Sequence, residues 1–199
     1  MYYTAMNGII SPHLHLAKQY WADHLKPGDT AIDATCGNGH DTLFLSQLLL
    51  KNPESLVIGL DIQTAAISST DALLQKSLSP DQLKRVLLHR LCHSEIQNIP
   101  LPQPPRLIVY NLGYLPGGDK TFTTQTHSTL KSIQQSLEMV AFDGAVSITC
   151  YPGHEEGEKE ERAILEFLEK LPSHRWNICQ HKWLNRLRSP SLLWIRPEN

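Results

Sequence analysis

The sequence predicts an α/β fold: a mostly parallel, seven-stranded sheet with helices on both faces and an antiparallel strand pair at its C-terminal end. Three observations predict it. Short apolar runs alternate with longer amphipathic ones, Pro- and Gly-marked turns separate them, and polar residues able to carry chemistry fall just after the apolar runs. Strand–helix alternation calls for a parallel sheet covered on both faces. Right-handed crossovers then collect the C-terminal ends of the parallel strands on one edge, where ligands bind.

The elements follow in order. Residues 13–25 place Leu14, Leu16, Ala17, Tyr20, Trp21 and Leu25 near helical spacing, and Lys26-Pro27-Gly28-Asp29 ends that helix with a turn. Thr30-Ala31-Ile32-Asp33-Ala34 is a short buried-type strand, followed by a glycine loop and a helix over residues 40–51. Leu56-Val57-Ile58-Gly59-Leu60 is a second strand ending on Asp61, with a helix over 63–77 after it. Arg85–His89 is a third strand, and Leu107–Tyr110 a fourth ending at Asn111. Residues 125–141 form a helix with Leu130, Ile133, Leu137 and Val140 on one face. Gly144–Thr149 is a fifth strand, 155–171 a charged helix, and Trp176–His181 with Leu192–Ile195 the closing antiparallel pair.

Composition narrows the class. A chain of 199 residues predicts one domain, with residues 1–28 as a helical segment leading into it. Hydrophobic content of 41% against 19% charged residues is that of a globular protein. A net charge of −2 excludes a global basic field for long duplexes, but not recognition of one RNA loop. Cys36, Cys92, Cys150 and Cys179 are widely spaced, which predicts free thiols in a reducing compartment. No apolar run approaches the ~20 residues of a membrane span, and the first residues lack the pattern of a signal peptide. The expectation is a soluble cytoplasmic enzyme. No Cys-x-x-Cys pair is present and the cysteines are not clustered, so no metal is expected.

The loop Asp33-Ala34-Thr35-Cys36-Gly37-Asn38-Gly39 follows the first strand and opens a helix, a position whose unpaired amides and positive dipole end suit a polar ligand. Gly37 and Gly39 free the backbone to approach it. A dinucleotide loop would carry a third glycine; Thr35 stands at the first glycine position, which argues against NAD. Asp61 lies 22 residues beyond Gly39, where a carboxylate accepts hydrogen bonds from both hydroxyls of a ribose. Such a ribose belongs to S-adenosylmethionine and NAD alike, and a helix cap is the plainer role for Asp61. His93-Ser94-Glu95, after the third strand, is where an adenine would be held, with a cap at Ser94 as the alternative.

Asn111-Leu112-Gly113-Tyr114-Leu115-Pro116-Gly117-Gly118-Asp119-Lys120 directly follows the fourth strand, across the switch point from the glycine loop. Its Asn-x-x-Tyr pattern resembles the Asn-Pro-Pro-Tyr loop of amine methyltransferases. There the Asn oxygen orients the target nitrogen and the aromatic ring stacks on a planar substrate. Asp119, Tyr114 and His154 are the candidate proton acceptors; the plainer alternative is a structural turn with solvated charges.

Together these residues carry a family resemblance. Residues 33–43 resemble the first motif of a family of small class I methyltransferases labelled rRNA methylases, and residues 111–120 resemble its second signature. Tyr151-Pro152-Gly153-His154, followed by Glu155, Gly157 and Glu160, resembles the third. The likeness implies a Rossmann-like class I methyltransferase fold, S-adenosyl-L-methionine as cofactor, and methylation of 5-aminomethyl-2-thiouridine at the tRNA wobble position. The candidate cofactor set is Asp33, Thr35, Gly37, Asn38, Gly39, Asp41, Thr42, Asp61, Ile62, His93 and Ser94, with Asn111 at its border. The candidate catalytic set is Asn111, Tyr114, Asp119 and His154.

A tRNA anticodon stem-loop would be the partner, read by stacking and phosphate contacts. The stretch His174-Arg175-Trp176 through His181-Lys182-Trp183, Arg186 and Arg188 mixes basic and aromatic groups for that purpose, or else forms a strand pair with solvated cations and core tryptophans. His13 and His15 either line the site or sit on a helix surface. A homodimer would help so small a protein span a stem-loop. The rival readings are N-methylation of rRNA or of a small-molecule amine, and a non-catalytic nucleotide-binding module.

Overall fold

The computed structural model describes residues 12–113, 124–186 and 188–198. Its seven strands are β1 Thr30–Asp33, β2 Leu56–Asp61, β3 Val86–Arg90, β4 Leu107–Asn111, β5 Ala145–Cys150, β6 Trp176–His181 and β7 Ser191–Pro197. They form one sheet in the order β3-β2-β1-β4-β5-β7-β6. The first five are parallel, and β7 enters antiparallel between β5 and β6. The chain winds outward in opposite directions from β1 and β4, which makes their junction the switch point. The expected architecture is the observed one.

The strands that read as continuous apolar runs are those buried on both faces: β1 and β5 are buried along their whole length. Alternation sends Ile32, Ile58 and Ile108 to one core and Ala31, Val57, Leu107 and Val109 to the other. Helices α1 Pro12–His24 and α2 His40–Leu49 cover the second face, and α5 Thr126–Met139 and α6 Glu155–Leu168 pack on the first. The indole of Trp21 in α1 donates to Ser147 Oγ at 2.9 Å, satisfying a buried donor inside the sheet.

Helix α3 is Thr64–Ser77, and two short elements beyond the expected ones follow it: α4 Pro80–Leu83 and a 3₁₀ helix, His93–Asn98. α4 carries a full capping box between Ser79 and Gln82. The buried seam of α5 also differs from the apolar stripe expected. Thr129, Ser132, Ile133, Gln135 and Ser136 are buried, while Leu130, Leu137 and Val140 are only half-buried. The reason is Tyr110, buried in β4, whose hydroxyl bonds Ser132 Oγ (2.6 Å) and Ser136 Oγ (2.7 Å), Ser132 in turn donating to the His93 carbonyl (2.8 Å). A buried phenol needs partners, and α5 supplies them.

Candidate functional site

The glycine loop is pinned to the strands on either side. Ala34 N donates to Val109 O (2.9 Å), Cys36 N to Leu60 O (2.8 Å) and Gly37 N to Asp61 Oδ2 (3.1 Å). Gly37 and Gly39 both have positive φ, 53° and 83°. A Cβ on Gly39 would lie 2.8 Å from Thr70 Cα, so glycine there also lets α2 approach α3. α2 starts at this loop with no side-chain cap, leaving first-turn amides for a ligand.

Three carboxylates converge on the loop. Asp33 is fully buried; its Oδ1 accepts from Thr35 N (3.2 Å) and its Oδ2 from Thr42 Oγ1 (2.6 Å). Burial, followed by the negative charge of Asp41, pushes its pKa up to about 7, with a smaller contribution from Asp61. Asp61 Oδ1 accepts from Gln63 N at 2.8 Å, so Asp61 steadies the turn before α3 as well as holding Gly37, while the N-cap of α3 is Gln63. Each of its oxygens retains a lone-pair site, enough for two ribose hydroxyls. Ile62 beside it is 66% exposed, an apolar face in an otherwise polar rim.

Asn111 closes the other side of the switch point. Its backbone N donates to Thr35 Oγ1 (2.7 Å), and its Nδ2 donates to Asp41 Oδ2 (3.2 Å). Asp41 Oδ1 pairs with Lys18 Nζ of α1 at 3.0 Å. Asn111 Oδ1 is buried without a hydrogen-bond partner among the described residues. Leaving such an acceptor unmet costs about 1–3 kcal/mol.

The third signature contributes Tyr151 to this cluster. Tyr151 lies beside Asp41 and Asn111, and its hydroxyl contacts His13 Nε2 of α1 at 3.3 Å, ring against ring. Burial, then the charge of Asp41, raises the Tyr151 pKa, while burial lowers that of His13 and favours a neutral imidazole. His154 is the N-cap of α6, its Nδ1 accepting from Gly157 N at 3.1 Å. Glu160, buried in α6, accepts from Thr124 Oγ1 and Thr129 Oγ1, both at 2.7 Å. Thr124 and Gly113 bond reciprocally, Thr124 N to Gly113 O and Gly113 N to Thr124 Oγ1, both at 3.1 Å.

Of the residues singled out from sequence, the structure brings Asp33, Thr35, Gly37, Gly39, Asp41, Thr42, Asp61 and Asn111 together through these bonds. Asn38 lies on the same loop, its Oδ1 within 3.4 Å of Ser69 Oγ. His93 turns its ring into the core against Tyr110, 6.1 Å between centroids, and burial lowers its pKa to about 4. Ser94 is not the cap of the 3₁₀ helix; Cys92 holds that position and receives the Ser94 hydroxyl at 3.1 Å. Tyr114 and Asp119 lie outside the described residues. Lys18 was not among the sequence candidates, Tyr151 entered only as part of the third signature, and of the two readings open for His13 the structure places it against Tyr151. Tyr151 could have been found, since it directly follows a strand. His13 and Lys18 reach the site only through the packing of α1.

Comparison with known proteins follows the same lines. The family model described as Putative rRNA methylase matches residues 57–196. The chain is 35% identical over 184 residues to the tRNA (mnm(5)s(2)U34)-methyltransferase, chloroplastic, of Arabidopsis thaliana, covering 90% of this chain and 67% of that protein. It is similar to the crystal structure of a putative rRNA-methylase from Clostridium thermocellum, at 30% identity and a TM-score of 0.87 over 98% of this chain and 100% of that one. A putative methyltransferase from Streptococcus mutans, in complex with SAH, gives 31% identity and a TM-score of 0.81 over 95% and 99%.

Proposed function

This chain belongs to the Putative rRNA methylase family, and from that premise we propose that it methylates the amine of 5-aminomethyl-2-thiouridine at the tRNA wobble position. It is a methyltransferase, and S-adenosyl-L-methionine is its cofactor. The residues present fit that cofactor. Asp61 has lone pairs for the ribose, exposed Ile62 offers an apolar face to the adenine, and the uncapped start of α2 offers amides to a carboxylate. The acidic cluster of Asp33, Asp41 and Asp61 suits a ligand carrying sulfonium and ammonium groups, whose charge favours ionisation of the Asp33 carboxyl.

The observation that carries the acceptor assignment is the unpartnered oxygen of Asn111. A carboxylate has no proton to give, so Asp41 can receive only the NH₂ of the amide, and the carbonyl oxygen is turned to the other side. That oxygen accepts an N–H of the target amine and points the nitrogen lone pair at the methyl group. When bound, the cofactor supplies a methyl activated on sulfur, so the residues here position and desolvate rather than activate. An ammonium acceptor has no lone pair, so one proton must leave before transfer, and the methylated amine then carries the charge. The Tyr151 hydroxyl and the neutral His13 imidazole behind it form the route this site offers that proton.

The anticodon stem-loop as the element contacted, a homodimer, and a cytoplasmic location belong to the same proposal. Among the described residues no helix is long and apolar enough to cross a membrane. The test is incubation with labelled S-adenosylmethionine and, in parallel, aminomethyl-uridine tRNA, rRNA and small amines. Label is expected in the tRNA; label confined to rRNA or to small amines would overturn the substrate.

A further inference from the structure

The basic, aromatic C-terminal stretch is divided by the sheet. Trp176 pairs with Pro197 and His181 with Leu192, so β6 carries its two ends to opposite edges, ~17 Å apart for six residues in a strand. His174 and Arg175 therefore lie at the edge away from the site. Cys150 pairs with Ser191, which places the connection between His181 and Ser191 beside the C-terminal end of β5, next to Tyr151. α1 bridges the two, with His13 on Tyr151 (3.3 Å) and Tyr20 on His181 (2.9 Å).

This connection presents an unusual surface. Trp183 is 48% exposed and Leu184 fully exposed. The guanidinium of Arg186 lies 5.6 Å from the centre of the Trp183 ring. Lys182 is neutralised by Glu161 at 3.1 Å, but no acid among the described residues pairs with the exposed Arg186 or Arg188. An exposed indole backed by the Arg186 guanidinium, with exposed Arg188 on the same connection at the rim of the catalytic edge, matches the chemistry of single-stranded nucleic acid: a π-face and phosphates.

We propose that the β6–β7 connection is an RNA platform, on which Trp183 stacks a base flanking the target nucleotide while Arg186 and Arg188 hold the adjoining phosphates. This rests on the tRNA reading of the active site and adds the surface that delivers the loop to it. Charge complementarity favours RNA over a two-fold pairing of this face with a second copy, which would set Arg186 and Arg188 against the same cations.

The test uses full-length protein and a fluorescent anticodon stem-loop. Trp183→Ala should weaken binding about tenfold or more. The double variant Arg186→Ala/Arg188→Ala should flatten the dependence of log K on log salt by about 1.4, two single-strand phosphates' worth. S-adenosylmethionine affinity, read by calorimetry, should stay unchanged in both, which also reports that they fold. If the wild type binds the stem-loop and the variants bind it equally well with the same salt slope, the platform is wrong while the substrate reading stands. If the wild type binds no RNA, both fall. If Trp183→Ala instead converts a dimer to a monomer in sedimentation without altering RNA affinity, this face is a self-association surface and the proposal is overturned.

Discussion

Asp41 Oδ2 accepts the Nδ2–H of Asn111 at 3.2 Å, a bond from the first turn of α2 to the last residue of β4 that sets which end of the amide faces the acceptor amine. Asn111→Ala should reduce turnover about 100-fold or more, the scale on which a single positioned polar contact acts on a transition state. Cofactor affinity should remain close to that of the wild type. Single-turnover methylation and calorimetry separate the two; unimpaired turnover would remove Asn111 from the chemistry.

Asp41→Asn keeps the shape of the side chain but lets it donate or accept, so the Asn111 amide is no longer held in one orientation. The expected effect is a lower kcat with little change in KM for the RNA. Lys18→Met should act in the same direction and more weakly, because the ion pair it breaks is partly exposed.

Asp33 links the cofactor to pH. Its folded carboxyl titrates near 7, above the ordinary 3.8. The unfolded chain gives up this proton first, so the Asp33 contribution to stability falls as pH rises from about 4 to about 7 and is level beyond. A cationic ligand favours the carboxylate, so S-adenosylmethionine affinity should rise through the same upper range, with proton release on binding. Calorimetry in buffers of different ionisation heat reads that release, and Asp33→Asn should abolish it.

Thr35 Oγ1 receives the backbone N–H of Asn111. Thr35→Val leaves that donor unmet and should cost about 1–3 kcal/mol in denaturant unfolding, whereas Thr35→Ser should stay close to the wild type.

Gly39→Ala combines a left-handed φ with a Cβ 2.8 Å from Thr70 Cα. A loss of about 2–4 kcal/mol is expected in denaturant unfolding, together with weaker cofactor binding.

Much of this was legible in the sequence. The buried parallel strands are short and mostly apolar, so their ends, and with them Asp33, Asp61 and Asn111, could be placed from pattern alone. Thr35 was legible only as a missing glycine; that its hydroxyl ties the loop to Asn111 depends on β1 and β4 being neighbours. Local periodicity cannot show that His13 meets a tyrosine 138 residues away. Nor can it show that α5 buries serines because β4 offers a phenol. The basic C-terminal stretch looked like one surface, and only the strand pairing reveals that its two halves face opposite edges.

Everything proposed for this site turns on methylation of a wobble amine. The most direct measurement is nucleoside analysis of tRNA carrying 5-aminomethyl-2-thiouridine after incubation with labelled S-adenosylmethionine. The label is expected in 5-methylaminomethyl-2-thiouridine and in no other nucleoside, and Asn111→Ala should suppress it. Label in a different nucleoside, or a tRNA left unmodified by cofactor-bound enzyme, would contradict it.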